Sequence, residues 1–217
     1  ELDGGINQHQ SDRTHTLKEV DERERSVPMV DTEEYDRLMK ACLTDMHKDI
    51  ISFACHTGMR HGELVAIRKP MVHVKARQVV LPGHMTKNGK PRVIPLSPEA
   101  IAQPKLCETA PEDLFFWYRN RLGEPVPFRW FRGFFDKARI RAQLNDVRFH
   151  DLRHTFASWW VQAGGDLPAL MKVMGHGSYA MVQRYAYLDT ASAQRQMDEV
   201  FPHSFSTIGE DPPHSDT

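Results

Sequence analysis

The sequence contains no apolar run approaching the roughly 20 residues that a bilayer crossing needs. Its opening stretch, ELDGGINQHQSDRTH, has neither the basic start nor the apolar core of a signal peptide. A soluble, non-secreted protein is expected. Cysteine is scarce: Cys42, Cys55 and Cys107 are odd in number and show no CxxC spacing, which excludes a disulfide framework and a cysteine zinc site and fits a reducing, cytoplasmic setting. Internal repeats are absent. The first residue is Glu rather than Met, as expected of a piece of a longer protein.

Net charge is also small, −1 over the whole chain, but the average hides a distribution. Residues 51–185 carry 20 basic against 10 acidic side chains, a net +10, whereas residues 1–50 carry −6 and residues 186–217 carry −5. A basic middle is what a surface that follows nucleic-acid phosphates requires, because neutralising phosphates releases counterions. Charge alone does not separate that reading from scattered, solvated lysines and arginines.

Residues 1–27 are polar, lack apolar periodicity and include the mixed-charge run KEVDERER, the pattern of a linker or N-terminal extension. Asp31 with Glu34 three residues later forms a capping-box signal, and Tyr35, Leu38, Met39 and Cys42 recur behind it at helical spacing. The apolar stretch Ile50 to Cys55 runs into Gly58, a residue suited to the left-handed turn that ends a helix, and another helix is predicted from Arg60-His61 onward. Between Met71 and Leu96 the pattern changes to clustered and alternating valines broken by Pro82-Gly83 and Asn88-Gly89, which predicts a small antiparallel sheet. Asn88-Gly89 reads as a hairpin dipeptide tolerant of positive φ, with Lys87 and Lys90 at an exposed tip. Helical spacing returns in Trp130 to Ile140, Leu152 to Val161, Leu167 to Met174 and Met181 to Leu188. Residues 191–201 are expected to form one more helix with Met197 and Val200 on one face, and residues 202–217 to be a disordered tail.

The segment His150-Asp151-Leu152-Arg153-His154-Thr155 has two readings. His150 and His154, four apart, share a helix face as in a zinc-binding HExxH motif, but the motif's Glu is absent, no third ligand stands out, and Arg153 would oppose a dication. Alternatively His150 and Arg153 form an HxxR pair that presents an imidazole and a guanidinium to one phosphate. Arginine's planar fork matches phosphate oxygens in pairs, and histidine moves a proton near neutral pH.

With its neighbours, this segment resembles the boxes of tyrosine recombinases of the phage-integrase family. Those boxes occur in the family's order across roughly residues 27–200. Thr57-Gly58-Met59-Arg60-His61-Gly62-Glu63-Leu64 resembles the first arginine box. Thr86 to Arg92 resembles the lysine-bearing β-hairpin, Met174-Gly175-His176-Gly177 the LGH box with Met for Leu, and Arg184-Tyr185-Ala186-Tyr187-Leu188 the nucleophile box. The resemblance implies an α+β, mainly α-helical catalytic fold over residues 28–201, with a small three-stranded antiparallel sheet at one edge. It further implies site-specific DNA recombination through a 3′-phosphotyrosine bond, without cofactor or metal. Tyr185 would be the nucleophile, Arg60 and Arg153 the phosphate clamp, His176 a third donor, Lys87 the general acid, His150 a proton acceptor or phosphate contact, and Glu63 the support of Arg60. The implied partner is double-stranded DNA, bound by four protomers on paired sites from monomers in solution, with residues 189–201 exchanged between neighbours, in a bacterial or phage-encoded protein. The separate helical DNA-clamping domain usual in the family is not in this sequence.

Rival readings attach to single residues. Tyr187 lies two positions past Tyr185, but Tyr185 stands nine residues after His176, the family interval. Lys90 competes with Lys87, Glu63 reads equally as a surface acid beside Arg60 or Arg68, His154 is common in this box without a catalytic role, and Trp159 and Trp160 read as core. From a different class, a DNA-binding remnant or regulator with the same fold is the alternative to a recombinase.

Overall fold

The computed structural model describes residues 27–102, 113–189 and Met197. The chain's expected linker up to residue 26 and its expected tail, 202–217, lie outside the described residues. So does the helix expected at 191–201, apart from Met197, which is helical and exposed.

Helix α1, Thr32–Lys40, starts at the Asp31 capping box: the Asp31 carboxylate accepts from the Glu34 amide at 2.8 Å and Glu34 accepts from the Asp31 amide at 3.1 Å. Helix α2, Asp45–Thr57, is the centre of the core, with Ile50, Ile51, Phe53, Ala54 and Cys55 all buried, and it ends at Gly58 with φ +58°. A side chain at Gly58 would collide with Phe156 of the helix packed opposite, so a residue free of both strain and bulk is required there. Helix α3, His61–Ala66, follows at once.

The predicted sheet forms from β1, Val72–His73, β2, Gln78–Leu81, and β3, Arg92–Pro95, antiparallel in that order. Val79 opposite Ile94 faces the core and Val80 opposite Val93 faces outward. The same alternation puts Arg92, at the start of β3, on the inner face, where it is 7% exposed. The connection between β2 and β3 is not the tight Asn-Gly hairpin that was expected. Ten residues join the strands through a 3₁₀ turn, Gly83–Met85, and only Gly89 takes positive φ, +70°. Thr86 Oγ1 donates to Lys90 O at 2.7 Å and the Asn88 side chain accepts from the Lys90 amide, so side chains close this loop. Lys87 and Lys90 are exposed on it, as expected.

A short helix α4, Pro98–Ala102, precedes a two-stranded hairpin that the sequence reading did not foresee, β4, Trp117–Arg119, with β5, Pro125–Pro127. Its turn is built by Asn120, whose side chain accepts from the Leu122 and Glu124 amides, and by Gly123 at φ +79°. Helix α5, Arg132–Arg141, buries Phe135 and Ala138 within a group of packed aromatic rings that includes Phe116, Phe131 and Phe149. Helix α6, Asp151–Gln162, packs across α2. Trp159 and Trp160 on it are half-buried and line an apolar cavity of about 480 Å³ with Cys55, Leu96 and Phe156, so they border the core and are not enclosed by it. Helix α7 spans Leu167–Met174. The last predicted helix is broken: α8 covers only Ala180–Gln183, and a 3₁₀ turn, Ala186–Leu188, takes over. The Tyr185 amide donates to Val182 O at 2.9 Å, a tight three-residue step that leads into this turn, and Val182 and Tyr185 both face the core, at 0% and 1% exposure.

Candidate active site

The site is organised by the C-terminal end of α7. Gly175, with φ +63°, closes the helix by a Schellman pattern in which its amide donates to Lys172 O and the His176 amide donates to Met171 O at 3.0 Å. That leaves the carbonyls of Met174 and Gly175 without helical donors, at the negative end of the helix dipole. Three arginines from three other elements fill the gap. Arg60 donates to Gly175 O at 3.0 Å, Arg92 to Met174 O at 2.6 Å, and Arg153 to Met174 O at 2.7 Å and also to Gly58 O.

Glu63 is the counter-charge. Its carboxylate is 3% exposed, accepts from Arg60 Nη1 at 3.1 Å and Arg92 Nη2 at 2.5 Å, and caps α3 by accepting from the Arg60 amide at 2.8 Å. The reading of Glu63 as a solvated surface acid is thereby excluded. Burial, and then Arg60 and Arg92 nearby, lower the Arg153 pKa to about 9, so its guanidinium remains charged at neutral pH.

A second group lies along α6. His150, next to the helix start, is solvent-facing, and its ring meets that of His154 edge-on at 5.3 Å. His154 Nδ1 is 2.7 Å from the Tyr185 hydroxyl. Burial, with His150 as the next contribution, lowers the His154 pKa to about 4, so the ring is neutral at pH 7, and in the tautomer protonated at Nε2 its Nδ1 accepts from the phenol. Burial raises the Tyr185 pKa, against the opposing pull of Arg184 and Arg153. His176 is half-buried with its Nδ1 enclosed and unpartnered, and burial followed by Arg153 and Arg60 brings its pKa down to about 4. Among the described residues no three His, Cys, Asp or Glu side chains come together to hold a metal ion.

Of the seven residues singled out in the sequence, Arg60, Glu63 and Arg153 meet at one point, with His176 within electrostatic reach. His150 and Tyr185 are linked to them through α6 and through His154. Lys87 is not brought in: it stands exposed on the β2–β3 loop and makes no ion pair among the described residues. Tyr187, the rival nucleophile, is 46% exposed, and its hydroxyl accepts from the Val27 amide at 3.1 Å. Two residues were missed. Arg92 sits in the hairpin box, where an arginine reads as solvated, and only its inward register in β3 signals otherwise. The family resemblance assigns His154 no catalytic role, although its spacing, four after His150, places it on the same helix face.

A helical domain edged by a small antiparallel sheet, with buried arginines gathered beside a buried tyrosine, defines a class, the catalytic domains of tyrosine recombinases. The sequence profile of the phage integrase family matches residues 28–192, and the chain belongs to that family. It is 26% identical over 202 residues to the integrase of Salmonella phage P22, covering 88% of this chain and 52% of that protein, so it spans about half the length of that relative. The fold is that of the catalytic domain of bacteriophage HP1 integrase, at 22% identity and a TM-score of 0.61 over 81% of this chain and 95% of that one. XerH site-specific recombinase, solved bound to a palindromic difH substrate in a post-cleavage complex, matches at 18% identity and a TM-score of 0.59 over 81% of this chain and 53% of its own.

Proposed function

We propose that this chain is the catalytic part of a site-specific recombinase that cuts and rejoins duplex DNA through a 3′-phosphotyrosine bond at Tyr185. The observation that carries the reading is the gathering of Arg60 and Arg153 on adjacent main-chain oxygens, Gly175 O and Met174 O. Two guanidiniums directed at neighbouring oxygens offer the donor geometry that two non-bridging oxygens of a phosphodiester require. In the reaction a phosphate displaces those carbonyls, and the clamp stabilises charge that grows in the transition state, where one donor is worth about 10²–10³ in rate. His176 adds a donor, Glu63 holds Arg60 in place, and His150 contacts the phosphate. Lys87 reaches the departing 5′ oxygen as general acid when the β2–β3 loop closes on DNA.

Tyr185 is 1% exposed, so its attack requires the segment that covers it to move aside when DNA binds, with the hydroxyl staying within reach of His154. A phenolate leaves more readily than an alkoxide, which keeps the phosphotyrosine bond reversible and lets rejoining proceed without an energy source. Family membership and the likeness in fold to the Tn1549 transposon integrase, solved in complex with circular intermediate DNA, support DNA as partner. Assembly of four protomers on two DNA sites, with residues 189–201 passed between neighbours, is part of this reading.

The test is covalent trapping. Incubated with a nicked suicide duplex, the protein, with whatever sequence flanks this chain, should form an adduct that survives denaturation. Tyr185→Phe should abolish the adduct and Tyr187→Phe should not. An adduct mapped to Tyr187, or cleavage that depends on added metal, overturns the assignment.

A further inference from the structure

We propose that His154 accepts the phenolic proton of Tyr185 as the tyrosine attacks DNA. The inference rests on the recombinase reading above and deepens it, since the sequence alone directs attention to His150. The structure separates the two histidines. His154 is half-buried and its Nδ1 lies 2.7 Å from the reacting oxygen of the enclosed Tyr185, whereas His150 is solvent-facing and meets His154 only ring to ring, edge-on. A general base must first be within hydrogen-bond reach of the proton it removes, and His154 meets that condition.

The step balances. The Tyr185 O–H bond breaks toward His154 Nδ1 while the Tyr185 oxygen bonds to phosphorus, the P–O5′ bond breaks, and the 5′ oxygen takes a proton from Lys87. An imidazolium and a neutral amine result from a neutral imidazole and an ammonium, so the charge on the two side chains together is unchanged. In rejoining, the 5′ hydroxyl gives its proton back to Lys87 and His154 returns its proton to the departing phenolate.

The groups facing His154 suit a base that strengthens when substrate arrives. His150, Asp151 and Arg153 face it from α6, and Arg184 and Tyr185 from the C-terminal turn. Without DNA, burial and the cations hold the ring neutral. An anionic phosphodiester in the arginine clamp opposes both arginines, and the affinity of the ring for a proton rises as the nucleophile needs it.

The experiment is single-turnover adduct formation at Tyr185 on two nicked duplexes, one normal and one with sulfur at the bridging 5′ position, which leaves without a proton. Asparagine places an amide where Nδ1 stands, so His154→Asn can hold the hydroxyl but cannot take its proton. His154→Asn and His154→Ala should each slow both duplexes by about 10²–10⁴ with DNA affinity unchanged. Lys87→Ala should slow only the normal one. The wild-type rate should fall as pH is lowered through the His154 titration, and His154→Asn should lack that limb. His154→Asn within threefold of wild type would reduce His154 to a hydrogen-bond holder, and rescue of His154→Asn by sulfur would move its role to the leaving group; either overturns the proposal. A wild-type protein that cleaves neither duplex at Tyr185 overturns the recombinase reading itself.

Discussion

Arg92 and Arg153 donate to one and the same oxygen, the carbonyl of Met174, at 2.6 and 2.7 Å. Two buried guanidiniums on one acceptor repel each other, and the arrangement stands because that acceptor lies at the negative end of α7 and because Glu63 binds Arg92 at 2.5 Å.

Removing the counter-charge should therefore cost more than a hydrogen bond. Glu63→Ala leaves Arg92 buried without a partner charge, and the expected loss is about 3–5 kcal/mol of unfolding free energy, read from urea titration. Glu63→Gln keeps the shape and an acceptor, and should recover part of that loss. A Glu63→Ala protein as stable as wild type would show that the carboxylate does not hold the cluster together.

The chain reversal at the end of α7 gives a second expectation. Gly175 has φ +63°, and a Cβ there would run into the Arg92 guanidinium, whereas a Cβ at Gly177 meets nothing within 4 Å. Gly175→Ala should destabilise the protein by at least about 1–2 kcal/mol through backbone strain alone and should also depress adduct formation by shifting Arg92. Gly177→Ala should leave both within error, as differential scanning calorimetry and the trapping assay would show.

Arg153 should not tolerate lysine. Its fork spans Gly58 O and Met174 O, two points that a single ammonium cannot reach together. In a pocket that already draws an arginine down to about 9, a lysine would lose its proton at neutral pH. Arg153→Lys should lower the cleavage rate by about 10²–10³, and the loss should grow as pH rises from 6 to 8 in a single-turnover series.

Asp49 in α2 gives a dependence of stability on pH. Burial, with Asp45 adding to it, raises its pKa to about 7. The folded state thus keeps a proton that the unfolded chain releases near pH 4. The contribution is complete below the ordinary carboxyl range, declines as pH rises toward 7, and is level beyond it. Asp49→Asn should match wild type near pH 4 and exceed it at pH 8 by on the order of 2 kcal/mol, after allowance for residual hydration. Equal thermal midpoints at pH 8 would contradict this.

Much of the scaffold was legible because local signals there agree with the tertiary structure. The Asp31–Glu34 box, the left-handed Gly58 and the span Leu167–Met174 are written in neighbouring residues. The β4–β5 hairpin was hidden by its own composition: Pro125 and Pro127 argue against a strand, and are tolerated because the sheet has two strands and each is an edge. The break in the last helix could not be read, since Val182, Tyr185 and Leu188 fit either winding until burial of the tyrosine selects the tighter one. At the site, the residue types were visible and their partners were not. Nothing near Arg92 in sequence announces Glu63, 29 positions earlier, and nothing near Tyr185 announces His154, 31 positions earlier.

The carbonyls that end α7 bear on how this molecule spends its time away from a ligand. A cluster of like charges ordinarily needs an anion to condense it, and such sites are loose until one arrives. Here the main chain supplies the oxygens, so the cationic pocket is assembled beforehand, and binding is an exchange of one set of acceptors for another, free of the entropy of ordering three long side chains.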